Sequence, residues 1–297
     1  MIETFHKPGR WLRVNTHTHT VNSDGTYTPE EAVARYRDTL RYHALAITDH
    51  RLATPVDGLV ADGADFCVIP GNELDGVDPE TGMYHMVALG VIDHQDFCKD
   101  FPLQAAIDWV NARDGLAIFA HPYWSGQRHA ALTSVRGAVG VEVYNNVCRL
   151  LNGKGTALAH WDALLEDGQR VWGVASDDVH FRPRHGFGGD AWIMVRAEAN
   201  TAQDILAAIK AGDFYASTGP DILDMQRDSQ RLYVRTSPAA SITFSGAAWR
   251  GVVVRPAEGA ETLTDAEYDL SDGQYVRVTV TDTGGRMAWS QPVFLAD

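Results

Sequence analysis

Two histidines one residue apart, His17 and His19, follow the apolar run Leu12 to Val14 in the stretch Asn15-Thr16-His17-Thr18-His19. In an extended chain, residues two apart point to the same face, so both imidazoles face one spot. Similar side chains recur beside later apolar runs. Ser23-Asp24-Gly25 comes four residues on, Thr48-Asp49-His50 closes Ala44 to Ile47, Gly71-Asn72-Glu73 follows Phe66 to Ile69, and Met83-Tyr84-His85 opens Met86 to Leu89. Ala120-His121-Pro122 closes Leu116 to Ala120, and Ser176-Asp177-Asp178-Val179-His180 closes Val171 to Ala175. The spacing predicts for Asp178 and His180 the same two-apart geometry as for His17 and His19. Taken singly, a histidine is an ordinary hydrogen-bonded residue, Asp24-Gly25 a turn and Glu73 a solvated carboxylate. Nine such side chains at strand ends have no packing explanation, and imidazoles with carboxylates are what divalent transition metals bind. Six of the twelve histidines belong to the set; His6, His43, His94, His129, His160 and His185 do not.

The elements that must position them alternate short apolar runs with amphipathic, capped stretches, the pattern of a parallel sheet. Val139 to Val143, Trp192 to Val195 and Phe214 to Ala216 complete a count of runs that suits a barrel of parallel strands, whose C-terminal ends are where such enzymes place their sites. Thr28-Pro29-Glu30-Glu31 reads as a capping box with proline at the first helical position, predicting a helix over Pro29 to Arg41 with Val33, Tyr36 and Leu40 on one face. Leu103 to Arg113, Ala157 to Leu165 and Ile205 to Ala211 read as further helices, the first and last stopped by Gly115 and Gly212. After Thr218-Gly219-Pro220 the runs are short and alternating, at Leu232 to Arg235, Ser241 to Phe244, Val252 to Arg255 and Tyr275 to Thr281. The reading is a barrel over 1–219 and a small, sandwich-like all-β domain over 220–297.

The chain has 297 residues, 45% apolar and 22% charged, enough for a globular core. Its 25 basic and 39 acidic side chains give 25 − 39 = −14, a charge unsuited to gripping long nucleic acid or an anionic membrane. A small anionic substrate would need local positive charge. Cys67, Cys98 and Cys148 are widely spaced with no CxxC pair, which fits a reducing, cytoplasmic compartment. Met1 to Leu12 lacks the apolar stretch of a signal peptide, and no run approaches the length of a bilayer span.

The order HxH, SDG, TDH, a Glu after Gly-x, a His before an apolar strand, AHP and DxH resembles the PHP (polymerase and histidinol phosphatase) family of metal-dependent phosphoesterases, over Arg13 to Gly219. The resemblance implies a distorted (β/α)7 TIM-like barrel holding two or three divalent ions, Mn, Zn or Fe. It implies His17, His19, Glu73 and Asp178 as ligands of a first metal, with Glu73 bridging to a second held by His85 and His121. Asp24, His50 and His180 are the implied ligands of a third, Asp24 standing where some members have His. Phe214-Tyr215-Ala216-Ser217-Thr218-Gly219-Pro220 and Ala288-Trp289-Ser290 resemble a bacterial branch with an appended β domain.

On that reading a water bridging two metals at Glu73 becomes a hydroxide aimed at phosphorus, with Glu73, Asp178 and His180 carrying the catalytic centre. The expected substrate is a small phosphorylated metabolite or nucleotide, monoester or diester. A carboxyl ester, carbamate or amide is the alternative, since the same cluster polarises a carbonyl, and a non-catalytic metal-stabilised module is the bland reading. An arginine pointed into the pocket favours the first, an apolar pocket the second. Arg51, Tyr144, Asn145, Arg182, Arg184 and His185 are the candidate substrate contacts, with His185 also a candidate acid. Asp49 and Asp177, each beside a ligand, serve either to orient an imidazole or to tie a loop. Trp124, Trp172 and Trp192 read as core aromatics.

Overall fold

Nine strands build the wall that carries the histidines: β1 (Arg10–Asn15), β2 (Ala44–Ile47), β3 (Cys67–Asp78), β4 (Gly82–Leu89), β5 (Leu116–Phe119), β6 (Gly140–Asn145), β7 (Trp172–Ser176), β8 (Trp192–Ala197) and β9 (Phe214–Ser217). The computed structural model describes residues 2–61, 63–93, 101–270 and 273–295; His94 and Cys98 lie outside the described residues. The hydrogen-bonded order is β9-β8-β1-β2-β3-β4-β5-β6-β7. β7 comes round to lie against β8 and β9 without a ladder between them, so the two ends of the sheet meet.

Two links close that seam. At one end Thr18 forms an isolated bridge to Val179, with the His19 amide donating to the Val179 carbonyl at 2.9 Å. At the other the side chain of Gln291 brackets Gly173, accepting from its amide at 2.8 Å and donating to its carbonyl at 3.0 Å.

The wall is mixed, not all-parallel. β1–β2, β2–β3, β5–β6 and β6–β7 are parallel, whereas β4 is antiparallel to both β3 and β5, and β8 to both β1 and β9. The cause is a hairpin: Asp78 Oδ1 accepts from the amides of Glu80 and Thr81, Gly82 takes a left-handed φ of +89°, and strands joined by so short a turn must be antiparallel. His85 therefore lies within an antiparallel strand instead of at the C-terminal end of a parallel one.

The helices are α1 (Glu3–His6), α2 (Pro29–Ala34), α3 (Leu103–Asn111), α4 (His129–Thr133), α5 (Asn146–Asn152), α6 (Leu158–Glu166) and α7 (Ala202–Ala211). The capping box at Thr28 is formed, but α2 gives way to a π-helical turn over Arg35–Thr39 instead of running straight to Arg41. Met86, Ile107, Trp161, Leu164, Ile205 and Ile209 illustrate the core, in which α3, α6 and α7 bury one face against the sheet.

The C-terminal strands are β10 (Ile222–Arg227), β11 (Arg231–Ala239), β12 (Ser241–Gly246), β13 (Gly251–Val254), β14 (Leu263–Asp269), β15 (Tyr275–Thr281), β16 (Met287–Trp289) and β17 (Val293–Phe294). The sheet β10-β11-β14 shares an apolar core with β12 and β15, through Met225, Leu232, Val234, Ile242, Phe244 and Val278. Unlike a separate appendage, this region is hydrogen-bonded into the main wall, because β16 pairs with β9 at Ala288–Ser217 and Trp289–Ala216. Arg277 adds a paired contact to Asp162 on α6, with Nη2 to Oδ2 at 2.7 Å. Among the described residues no helix is long and apolar enough to cross a membrane.

Candidate metal centre

His17 and His19 extend β1 beyond its last ladder residue. Thr18 between them is held on both sides, its carbonyl accepting from the Thr48 amide at 2.9 Å and its backbone bridging Val179, which keeps the segment extended. Both imidazoles consequently point inward, with their Nε2 atoms 3.1 Å apart. Asp178 does not repeat this geometry: its φ is +52°, in the left-handed region, and His180 Nδ1 donates to the Asp178 carbonyl at 2.9 Å. The two side chains still reach the cluster, by a kink instead of by alternation. Arg51 (+56°) and His121 (+28°) also take positive φ at strand ends, a strained backbone gathered around one site.

Glu73 occupies the centre, and its two oxygens face different neighbours. Oε2 lies 3.3, 3.2 and 3.2 Å from His17 Nε2, His19 Nε2 and His50 Nδ1. Oε1 lies 2.8 Å from His85 Nδ1 and 3.1 Å from His121 Nε2. Asp178 Oδ1 approaches His17 and His19 at 3.3 and 3.1 Å, and its Oδ2 lies 3.8 Å from His121. Asp24 reaches His180 Nε2 at 3.3 Å, His19 Nδ1 at 3.6 Å and His50 Nε2 at 3.9 Å. Gly25 permits that loop, since a Cβ there would sit 2.3 Å from the His19 carbonyl oxygen.

All nine sequence-predicted ligand positions thus meet in one cluster, in overlapping groups whose ligand atoms lie within 4.8 Å of one another: His17, His19 and Glu73; His17, His121 and Asp178; His50, Glu73 and His85; and His19, Asp24, His50 and His180. The grouping differs from the expected one in that His50 and His19 each face two groups, and His121 faces Asp178 as well as Glu73.

These residues fit divalent cations. Asp178 Oδ1 and His50 Nδ1 are buried without a hydrogen-bond partner, although nitrogens or carboxylate oxygens lie within ion-pair distance. His17 Nδ1 faces a carboxylate and so carries the proton, leaving a lone pair on Nε2 in the neutral ring. Two donors bonded to one ion at about 2.1 Å stand roughly 3.0–3.4 Å apart, the range of the Nε2–Nε2 and Nε2–Oδ1 separations here.

The electrostatics are strongly coupled. Burial opposes charge on His17, but Asp178, Glu73 and Glu142 outweigh it and hold its pKa well above the usual imidazole value. Burial is likewise overcome at His19, where Asp178 and Glu73 raise the pKa to about 9, and at His85, which Glu73 raises. The histidines in turn hold Glu73, Asp178 and Asp24 far below the normal carboxylate range, against the effect of burial.

Glu142 escaped the sequence reading. It sits on β6, is 1% exposed, and takes four donors: His17 Nδ1 at 2.8 Å, Ser176 Oγ at 2.6 Å, the His121 amide at 2.9 Å and Asn145 Nδ2 at 2.8 Å. Asp75 also escaped it. Gripped by Arg51 through Nε at 2.9 Å and Nη2 at 2.6 Å, it lies 3.5 Å from His50 Nδ1.

Asp49 and Asp177 tie loops and touch no imidazole. Asp49 accepts from the Thr20 amide and hydroxyl and from Ser23 and Thr54, shaping the loop that carries Asp24. Asp177 accepts from Tyr36 Oη and from the amides of Gly189, Asp190 and Ala191.

A cavity of about 180 Å³ opens on the cluster and is lined also by Trp124, Val147, Cys148, Leu151 and His185. Of the six candidate substrate contacts only His185 lines it, its ring 4.8 Å from that of His180. Arg51 is engaged by Asp75, Arg182 donates to the Asp24 carbonyl, and Arg184 is exposed. Asn145 caps α5 and donates to Asp178 Oδ2 at 3.1 Å, while Tyr144 packs on Trp289. Trp124 belongs to the site and not only to the core, standing edge-on to His121 and His85. Trp172 donates from Nε1 to the Lys210 carbonyl, and Trp192 stacks under Arg13.

No family model matches the sequence, and no curated protein does. Among solved structures, the chain is similar to a two-domain protein from Bacteroides vulgatus containing a predicted PHP-like metal-dependent phosphoesterase, at 17% identity, with 96% of each chain covered and a TM-score of 0.53. It is also similar to a candidate metal-dependent phosphoesterase from Bifidobacterium adolescentis, at 16% identity over 66% of this chain and 96% of that one, with a TM-score of 0.45. A third likeness is to an amidohydrolase from Chromobacterium violaceum with bound sulfate and no metal, at 14% identity over 56% and 87% of the two chains and a TM-score of 0.43. The first of these places the chain in the PHP-like fold over nearly its whole length, C-terminal strands included.

Proposed function

We propose that the protein is a metal-dependent hydrolase of small phosphate esters, with divalent ions held by His17, His19, Asp24, His50, Glu73, His85, His121, Asp178 and His180. The observation that carries this reading is the division of Glu73, whose Oε2 serves the His17 and His19 side while Oε1 serves the His85 and His121 side. A carboxylate so placed would serve as a ligand on both sides of the cluster. When bound, such ions supply Lewis acidity, charge neutralisation and an activated water.

The chain's own groups prepare for that. Glu142 fixes the His17 ring with Nε2 inward, His180 keeps Nε2 free by donating from Nδ1 to a carbonyl, and Asp49 holds the loop that brings Asp24 to it. Ions held here would supply the local positive charge that a chain of net charge −14 needs to attract phosphate. Val147, Leu151 and Trp124 keep one side of the cavity apolar, which strengthens electrostatic contacts on the other. The PHP-like fold of the Bacteroides protein, itself described as containing a predicted phosphoesterase, supports the phosphate choice.

One observation favours a carboxyl ester or amide instead: no arginine or lysine lines the cavity among the described residues. The test is metal analysis of purified protein, paired with release of p-nitrophenol from phosphate monoester, phosphate diester and acetate probes with and without added Mn. Phosphoester turnover that is lost in His17→Ala upholds the proposal; turnover of acetate alone promotes the second reading; a metal-poor protein inert with Mn rejects both.

A further inference from the structure

The cavity has two unlike halves, and the proposed hydrolysis uses only one. Asp24, Glu73, His121, Asp178 and their neighbours form the reacting half. The other half is one face of α5. Val147 and Leu151 are four residues apart and Cys148 lies beside them, so the helix turns all three to the same side. The placement of α5 is firmly set: Asn145 Oδ1 accepts from the Cys148 amide, Gly153 ends the helix with φ +77°, and the Val147 amide donates to the Asp177 carbonyl. The wall is thus a built part of the site.

The apolar surface continues past the cavity. Leu150 and Leu151 are 42% and 44% exposed, and Phe187, on the loop after β7, is exposed as well. Leu150 reaches that loop, its Cδ1 lying 3.3 Å from where a Cβ on Gly186 would be. Exposed apolar side chains continuous with a catalytic cavity mark a binding surface. Charge gives a second, independent constraint. The anionic groups Asp24, Glu73 and Asp178 line the cavity, and with Arg51 held by Asp75 and Arg182 turned to the Asp24 carbonyl, a second anion on the substrate finds no arginine or lysine among the described residues that line it, His185 being the one imidazole there outside the ligand set. Size is a third. The whole cavity is about 180 Å³ and the reacting half takes part of it, while a dry cavity of about 150 Å³ takes benzene, so the apolar half admits no more than one ring-sized group, with longer portions lying across the exposed leucines.

We propose that the Val147–Cys148–Leu151 face of α5, with Trp124, seats an apolar, ring-sized group carried by the substrate ester, and that the site turns away esters whose remainder bears a second phosphate or carboxylate. This names the substrate class of the proposed hydrolase and rests on that reading. Leu151 is the specificity-determining residue on which to test it, because it is half-exposed and is not in the ligand set, whereas Trp124 stands edge-on to His121.

The experiment is calorimetric titration of Mn-loaded protein with three non-hydrolysable probes: methylphosphonate, phenylphosphonate and 3-phosphonopropionate. Phenylphosphonate is expected to bind about tenfold or more tighter than methylphosphonate, with no gain for the carboxylate-bearing probe. In Leu151→Ala the advantage should shrink to about threefold, and Leu151→Lys should shift preference toward 3-phosphonopropionate. Equal affinity for methyl- and phenylphosphonate, binding of neither, or an unchanged preference in both variants overturns the proposal. Turnover of p-nitrophenyl phosphate in the same preparation judges the hydrolase reading separately, so the failure of one is distinguishable from the failure of the other.

Discussion

Glu142 Oε1 accepts a hydrogen bond from His17 Nδ1 at 2.8 Å, from a strand position that an irregularity makes available. The β6–β7 register shifts between Glu142 and Tyr144, so that Glu142 and Asn145, three residues apart, both turn inward and meet at 2.8 Å. A bulge of this kind re-aims side chains that strict alternation would separate. Its effect here is to put an acceptor-only group behind the ring nitrogen that must not face the metal.

Glu142→Gln should therefore weaken metal binding more than it weakens the fold. One oxygen becomes an amide nitrogen facing donors, either His17 and Ser176 or the His121 amide and Asn145. Loss of an outer partner of a ligating histidine costs about 10–100-fold in metal affinity. Calorimetric Mn titration of wild type and variant checks this; identical affinities would show that His17 needs no such support.

Much of this site was legible in the sequence. The inward meeting of His17 and His19 follows from two-residue alternation, and the other clustered side chains were singled out by their places beside apolar runs. Asp178 and His180 reached the cluster by a route the spacing did not describe, since a left-handed φ at Asp178 is not written in Ser-Asp-Asp-Val-His. Glu142 was illegible because Val141-Glu142-Val143 reads as one alternating strand, with no sign of a bulge. The antiparallel β4 was hidden in the same way: Asp78 to Gly82 is a turn signal, but a crossover helix and a hairpin both begin with one. β16 is three residues long, too short to carry a periodicity, and so the union of the C-terminal strands with β9 could not be seen.

Metal binding should release protons and strengthen with pH. In protein stripped of metal, burial works against charge at His19, but Asp178 and Glu73 hold its pKa up at about 9, and His17 and His85 are raised as well. Near pH 7 an entering cation must displace these protons, so affinity rises toward pH 9. The stability of the stripped protein runs the other way. A group whose pKa is raised on folding contributes fully below its unfolded value of about 6.5, and the His19 contribution is lost as pH rises through about 9. Calorimetry in buffers of different ionisation enthalpy reads the proton count directly. An absence of proton release between pH 6.5 and 8 would contradict the carboxylate-dominated picture of His19.

Asp49→Asn should empty one part of the centre selectively. Asp49 takes donors from Thr20, Ser23 and Thr54 and lies on no imidazole, so its effect passes through the loop to Asp24. Asp24 faces His180, His19 and His50, whereas the Glu73–His17–Asp178 contacts do not involve it. The expected outcome is a loss of about one metal per chain by elemental analysis, with the remaining ions bound at wild-type affinity. Uniform loss of all metal would mean that Asp49 supports the whole cluster, and unchanged stoichiometry that the loop holds without it.

The C-terminal strands should prove inseparable from the wall of β1 to β9. Among the described residues β7 has no strand partner on its outer side, and Gln291 supplies a substitute, one side-chain amide satisfying both the N–H and C=O of buried Gly173. Removing that side chain leaves two backbone groups at a tight seam, where Gly173 already packs so closely that an added Cβ would lie 2.6 Å from the Trp161 ring. An unsatisfied buried polar group costs about 1–3 kcal/mol, so Gln291→Ala should lower unfolding stability in urea by that order. Truncation after Gly219 goes further, taking away β16 and so baring the β9 edge, together with Arg277, whose pairing to Asp162 ties α6 to β15. The truncated chain should be recovered only as aggregate. A soluble 1–219 fragment that binds Mn with wild-type stoichiometry would show instead that the seam closes unaided and that β10 to β17 are an accessory.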